Sequence, residues 1–214
     1  MKYFLLLFLL LPSAIYAQTA DKFLFAGTNV NSYKGDMGNF DQWNAGLQIG
    51  VQFNKKKKLN GAIHLAFGAI SDQQTTIQST QSFSPNRYFK SNYFAANYEV
   101  HYNVIKTTKL LLYVGQGVGF IRYTPKDEFG EKLEEQPFTR AEQENYRSSS
   151  IMLPSSIGAV YFLSNEVGFG IQTTFYNPLT DYLDNISELG SSGNDNVLNI
   201  KFNLYFPLAF ANEN

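Results

Sequence analysis

The stretch Trp43–Asn54, WNAGLQIGVQFN, constrains the fold more than any other part of the chain. Trp43, Ala45, Leu47, Ile49, Val51 and Phe53 are apolar, while Asn44, Gly46, Gln48, Gly50, Gln52 and Asn54 between them are polar or glycine. Side chains alternate across a strand, so one face is an aliphatic column and the other a polar one. The segment is long for a soluble strand but matches the roughly 9–11 tilted residues that cross a bilayer as one barrel stave.

The same pattern recurs along the chain. Strands are predicted at Lys22–Asn31, Trp43–Asn54, Leu59–Ile70, Arg87–Val104, Leu110–Tyr123, Ser149–Phe162, Glu166–Tyr176 and Val197–Phe206. In the sixth, Pro154 cannot donate to a ladder and implies a bulge or a fresh strand start. The connections alternate long and short: Ser32–Gln42, Ser71–Asn86, Thr124–Ser148 and Asn177–Asn196 are long, and the others are short turns, including Lys55–Lys58. With both termini in the periplasm, every long connection falls outside and every short one inside. The expected fold is all-β: an eight-stranded, antiparallel, up-and-down transmembrane β-barrel in the bacterial outer membrane.

The start, MKYFLLLFLLLPSAIYA, has one lysine, an apolar run from Tyr3 to Leu11 and small residues near Ala17. It reads as a secretory signal peptide over 1–17, cut before Gln18, leaving a barrel over 18–206 and a short periplasmic tail over 207–214. The apolar run is too short to span a membrane as a helix, and any later span must be a barrel. The chain has no Cys, which removes disulfides, a lipid-anchoring cysteine and a thiolate nucleophile together. A net charge of −1 argues against nucleic acid as a partner. Aromatics make up 16% of the residues, in keeping with the girdles of membrane barrels.

The structural rival is a soluble lipocalin-like barrel with its apolar face turned inward around a ligand. The inferred polar face disfavours it: Gln48, Gln52, His64, Asn97, Glu99, His101, Asn103, Lys201 and Asn203 are mostly neutral amides, suited to a crowded lumen rather than to solvent.

Few residues suggest chemistry. His64 and His101 are the only histidines, so a multi-histidine metal centre is not expected, and no phosphate loop, EF-hand loop or zinc spacing occurs. No cofactor is expected. Glu99 lies two residues from His101 on the same face, an arrangement that could orient a general base. The plainer reading is a polar network of His64, Glu99 and His101 filling the lumen. Eight strands enclose a space that side chains fill, and Tyr113, Tyr176, Lys201 and Tyr205 would block a pore. A non-enzymatic barrel that acts through its rims is therefore expected. The alternatives are a lipid A-modifying barrel enzyme and an independent surface barrel for adhesion or defence.

Thr180-Asp181-Tyr182-Leu183-Asp184 follows the seventh strand. Together with Tyr33-Lys34-Gly35-Asp36, Phe89-Lys90-Ser91-Asn92 and Tyr113-Val114-Gly115-Gln116-Gly117 in order, it resembles the signature of a small outer-membrane barrel family of Bacteroidota. That family includes the PorG component of the type IX secretion system. The resemblance implies a monomeric barrel in outer-membrane lipid, serving as an accessory or anchor in secretion or gliding and contacting a periplasmic lipoprotein ring. The motif's own chemistry suggests one helical turn packing the last outer loop on the barrel mouth. Asp181 and Asp184 would then cap backbone N–H groups or pair with Arg87 or Arg122. A calcium site from these acids is a weaker option, since their spacing matches no dedicated loop.

Overall fold

The computed structural model describes residues 20–74, 85–191 and 193–208; the expected signal peptide, the middle of the second outer connection and the end of the tail lie outside them. The strands are β1 (Lys22–Lys34), β2 (Asn39–Phe53), β3 (Leu59–Gln73), β4 (Tyr88–Lys106), β5 (Leu110–Lys126), β6 (Ser149–Met152), β7 (Ser155–Phe162), β8 (Gly168–Tyr176) and β9 (Asn196–Pro207). Strands β6 and β7 are one stave interrupted beside Pro154, whose carbonyl accepts from the Gly117 N–H at 2.9 Å. All neighbours pair antiparallel, and β1 closes on β9. The result is an eight-stave barrel.

The predicted strands are present, but several run further than the polarity pattern implied. Ser32–Gln42, expected as a long loop, is instead the top of the β1–β2 hairpin. Ser32 pairs with Trp43, Lys34 pairs with Asn39, and a bulge lies between them. The Gly and Asp residues that signalled a loop are concentrated in the four-residue tip, residues 35–38. At the other end Pro207 still pairs with Phe23, and the Leu208 N–H donates to the Lys22 carbonyl at 2.9 Å, so the barrel continues past the expected boundary at 206. Strand β4 has 19 residues, about 60 Å of chain at roughly 3.3 Å per residue, and so stands well proud of a membrane even when tilted.

The barrel is inside-out relative to a soluble one. Leu47 (62% exposed), Val118 (57%), Ile157 (62%) and Phe169 (53%) point outward, whereas Asn199, Lys201, Glu99 and His101 are 0% exposed. No ligand-enclosing aliphatic face exists among the described residues, which removes the lipocalin-like alternative. The outward columns form an apolar belt for lipid, and the polar side chains are gathered in the lumen, where many hydrogen-bond one another.

The lumen has three layers. At the periplasmic end Phe23, Phe25, Leu111, Tyr113, Val160, Phe162 and Tyr205 pack into an apolar plug. Gly50 makes room for one of these rings: a Cβ there would lie 2.2 Å from Cζ of Phe25. Amides and ionisable groups fill the middle. At the outer end Tyr33, Ile70, Phe89, Tyr93, Tyr123, Leu133, Met152, Tyr176, Leu183 and Ile186 form a larger apolar layer beneath the connecting loops.

Candidate functional site

The middle layer is built by strand parity. Antiparallel β3 and β4 place Ala62 opposite Glu99, His64 opposite Asn97 and Asn60 opposite His101, so both imidazoles and the carboxylate face inward. Glu99 accepts hydrogen bonds from Asn97 Nδ2 (2.9 Å), Ser156 Oγ (2.5 Å) and Gln172 Nε2 (3.3 Å). His101 Nε2 lies 3.2 Å from Glu99 Oε2, and His64 Nε2 lies 3.7 Å from Glu99 Oε1. His101 stacks on Tyr113 at 4.1 Å between ring centroids, and His64 packs against Phe25 at 5.0 Å. Gly115 leaves space for this packing, since a Cβ there would come 2.4 Å from Ser156 Oγ and 2.8 Å from the His101 ring. Lys201 is fully buried in the same layer, with its ammonium over the Tyr176 ring at 5.2 Å. The network continues upward through Gln48–Asn203 (2.6 Å), Asn199–Asn31 (2.5 Å) and Tyr93–Asn31 (2.5 Å).

The Thr180–Asp184 segment sits at the opposite, outer end. It is not a helical turn: the backbone makes successive bends, and Asn185 adopts a left-handed conformation (φ 72°). Asp184 Oδ1 accepts from the Ile186 N–H at 2.8 Å, a local side-chain turn rather than a helix cap. Among the described residues no ion pair joins Asp181 or Asp184 to Arg87 or Arg122. Other groups hold the segment instead.

Tyr33 Oη lies 2.6 Å from Asp184 Oδ2 and 2.8 Å from Asp195 Oδ1. Asp195 also accepts from the Leu183 N–H at 2.8 Å. Asn86 Nδ2 donates to the Asp184 carbonyl at 2.9 Å. Arg140 donates to Asn185 Oδ1 (2.8 Å) and to the carbonyls of Leu133 (3.2 Å) and Glu134 (3.1 Å), while Asn185 Nδ2 donates to Thr139. Asp36 accepts from the N–H and hydroxyl of Ser191. All four outer connections therefore meet at Asp184, Asn185 and their neighbours. The motif Thr180–Asp184 stands out in the sequence, but its partners Tyr33, Asn86, Arg140 and Asp195 lie up to 151 positions away and carry no local signal.

Burial dominates the electrostatics of this cap. The Asp184 carboxyl is pushed up to about 8 by desolvation, aided by the charges of Asp36 and Asp181. Asp195 is also raised, by burial and then by Asp184. Asp181 rises to about 7 through partial burial and the nearby Asp36 and Glu144. The tyrosine contacts agree with this direction. One hydroxyl has one proton, so Tyr33 can donate to only one of its two carboxyl neighbours, and the second close contact needs a protonated acid donating back.

Thr180, Asp181 and Tyr182 face the other way and line an outer cleft of about 520 Å³ with Arg147, Phe120 and Ile151. At the periplasmic rim Lys22, Lys55, Lys56, Lys57, Lys58, Lys106 and Lys109 gather around the short turns, with Asp21 and Glu166 as the acids there among the described residues. The Lys106 ammonium donates to the Asn54 and Lys56 carbonyls, fixing the lysine turn to its neighbour.

No family model matches the chain, and neither does any curated protein. Among solved structures, Neisserial surface protein A superposes with a TM-score of 0.57 over 88% of this chain and 98% of its own, at 10% identity. That overlap supports the barrel topology derived from the register. The chain is an outer-membrane β-barrel. Looser likenesses are to OprG from Pseudomonas aeruginosa (TM-score 0.46, 11% identity, 91% of this chain and 100% of that one) and to Ail of Yersinia pestis (0.49, 13%, 87% and 97%).

Proposed function

We propose that this barrel is a non-catalytic anchor in the outer membrane that docks a periplasmic assembly on its basic inner rim. The single observation that carries the reading is the charge arrangement. Among the described residues seven lysines crowd the periplasmic end, while acidic residues outnumber basic ones at the outer end. A basic rim of this kind steers and orients an acidic partner surface. The filled lumen supports the same view, because side chains pack both of its ends and leave no aqueous route among the described residues. Glu99 and His101 are fully buried between two apolar layers, away from any lipid substrate, which favours an anchor over a lipid-modifying enzyme. The resemblance carried by Thr180–Asp184 names the candidate assembly: the lipoprotein ring of a type IX secretion machine.

The test is crosslinking and co-isolation of the tagged chain from outer membranes. Wild type is expected to bring down an acidic periplasmic lipoprotein. A variant with Lys55, Lys56, Lys57 and Lys58 changed to Glu should lose it while keeping heat-modifiable migration. Equal recovery with both chains would refute the docking surface.

A further inference from the structure

The middle of the lumen holds a cluster whose geometry goes beyond space-filling. We propose that His64, Glu99 and His101 form a binding site for one first-row divalent cation of borderline softness, with Zn²⁺ as the representative.

Three observations converge. First, the donor atoms are close enough to share an ion: one ligand atom from each residue lies within 4.8 Å of the others. Around zinc, with bonds of roughly 2.0–2.1 Å, tetrahedral ligands stand about 3.3–3.4 Å apart. The observed pairs, 3.2 Å for His101–Glu99 and 3.7 Å for His64–Glu99, bracket that spacing.

Second, the donors are held in place by groups outside the cluster. Asn97, Ser156 and Gln172 fix the carboxylate. Stacking on Tyr113 and packing on Phe25 fix the two rings. Such outer partners orient metal ligands, and their loss typically weakens binding by about 10–100-fold.

Third, His64 is 1% exposed, yet among the described residues neither of its ring nitrogens has a hydrogen-bond partner. A buried polar ring with both nitrogens unpaired is costly. Its Nε2 points at the same carboxylate as His101, and an ion between them would give that nitrogen a partner.

The donor set also selects the metal. Two imidazoles and one carboxylate suit Zn²⁺ and its first-row neighbours. They do not suit Ca²⁺ or Mg²⁺, which need more oxygen ligands. Lys201 opposes the ion, since its buried ammonium competes for the charge of Glu99. Removing that ammonium should therefore tighten binding, an effect a merely space-filling cluster would not produce.

Because apolar layers lie on both sides of the site, the ion is best supplied during folding. The mature chain, purified from outer membranes, is unfolded with chelator and refolded in detergent with Zn²⁺ or Co²⁺. Metal content and the cobalt absorption spectrum are read after gel filtration. One ion per folded chain is expected, with cobalt bands of nitrogen and oxygen ligation. His64→Gln and His101→Gln, each removing a direct ligand, should weaken retention by more than the roughly 10–100-fold that loss of an outer partner costs, and Lys201→Met should strengthen it. If wild type takes up no more ion than the His64→Gln/His101→Gln double variant, the proposal is overturned. Should the histidine variants fail to fold, wild type and Lys201→Met decide the matter: absence of saturable uptake in both overturns it, and tighter uptake by Lys201→Met supports it.

Discussion

The shared proton beneath the outer cap gives a prediction of definite sign. Asp184 and Asp195 flank Tyr33 Oη at 2.6 and 2.8 Å, all three side chains are buried, and both carboxyls are raised above their ordinary range. The closed cap therefore holds a proton that the opened cap, with ordinary carboxyls near 4, releases. Stability falls with rising pH wherever the folded form binds more protons. The closed cap is thus favoured at low pH, and the advantage is lost as pH climbs towards about 8. One proton is worth about 1.4 kcal/mol, or about tenfold in the open fraction, per pH unit. Arg140 provides the readout, because its guanidinium is locked onto Asn185 and two carbonyls, and trypsin reaches it only in the open form. With rates normalised to the denatured chain at each pH, cleavage at Arg140 should rise roughly tenfold per unit between pH 6 and 8. Changing both Asp184 and Asp195 to Asn, which mimics the protonated acids, should largely flatten the profile. Tyr33→Phe should speed cleavage at every pH, because a buried carboxyl oxygen loses its donor at a cost of about 1–3 kcal/mol. A wild-type profile that is flat, or that falls with pH, would refute the shared proton.

Other consequences follow from the packing. Leu65→Arg puts a charge on the lipid face near the middle of β3 and should cost about 2–4 kcal/mol in refolding titrations in lipid bilayers; a cost near zero would mean that this face is not in the membrane. Gly158→Ala places a Cβ 2.3 Å from Cζ of Tyr113 and should destabilise the barrel by about 1–3 kcal/mol. Tyr113→Ala in the same chain should recover part of that loss, whereas strictly additive effects would contradict the clash. Arg140→Ala leaves Asn185 Oδ1 and two loop carbonyls without their donor. It should accelerate protease cutting within residues 127–148 while leaving barrel migration on gels unchanged.

Much of the barrel was legible because strand parity is a local property. The alternation in β2, β4 and β9 identifies which face meets lipid without reference to any partner, and Pro154 marks the break between β6 and β7 by its missing N–H. The hairpin top at Ser32–Gln42 was misread for an equally local reason: its residues are turn-formers by composition, and only pairing with each other makes them strand. The inward aromatics Phe23, Phe25 and Phe162 were also missed. A lumen is expected to be polar, and nothing within one strand shows that three others will meet there as a plug. The cap followed the same rule. Thr180–Asp184 stands out as a motif, yet Arg87 and Arg122 were the wrong partners, because the choice of Tyr33, Arg140 and Asp195 is made by the closure of the barrel.

The buried charges also bear on how the chain selects one register. A one-residue slip of β3 or β4 exchanges the faces of that strand. His64 would then face lipid, or Glu99 and His101 would, with aliphatic side chains taking their place in the lumen. Lys201 imposes the same condition on β9, where Leu204 and Phe206 face outward and Lys201 and Asn203 inward. A cationic side chain at mid-membrane costs about 2–4 kcal/mol on the lipid face, so the slipped barrel is penalised before the loss of inward hydrogen bonds is counted. An all-apolar lumen would carry no such penalty and would leave register to the turns alone. The polar middle layer therefore discriminates among pairings as well as filling space. Replacing Glu99, His101 and Lys201 together by apolar residues of similar size should yield a chain that still inserts but populates more than one migrating form on refolding. A single sharp form, as homogeneous as wild type, would show that the turns suffice.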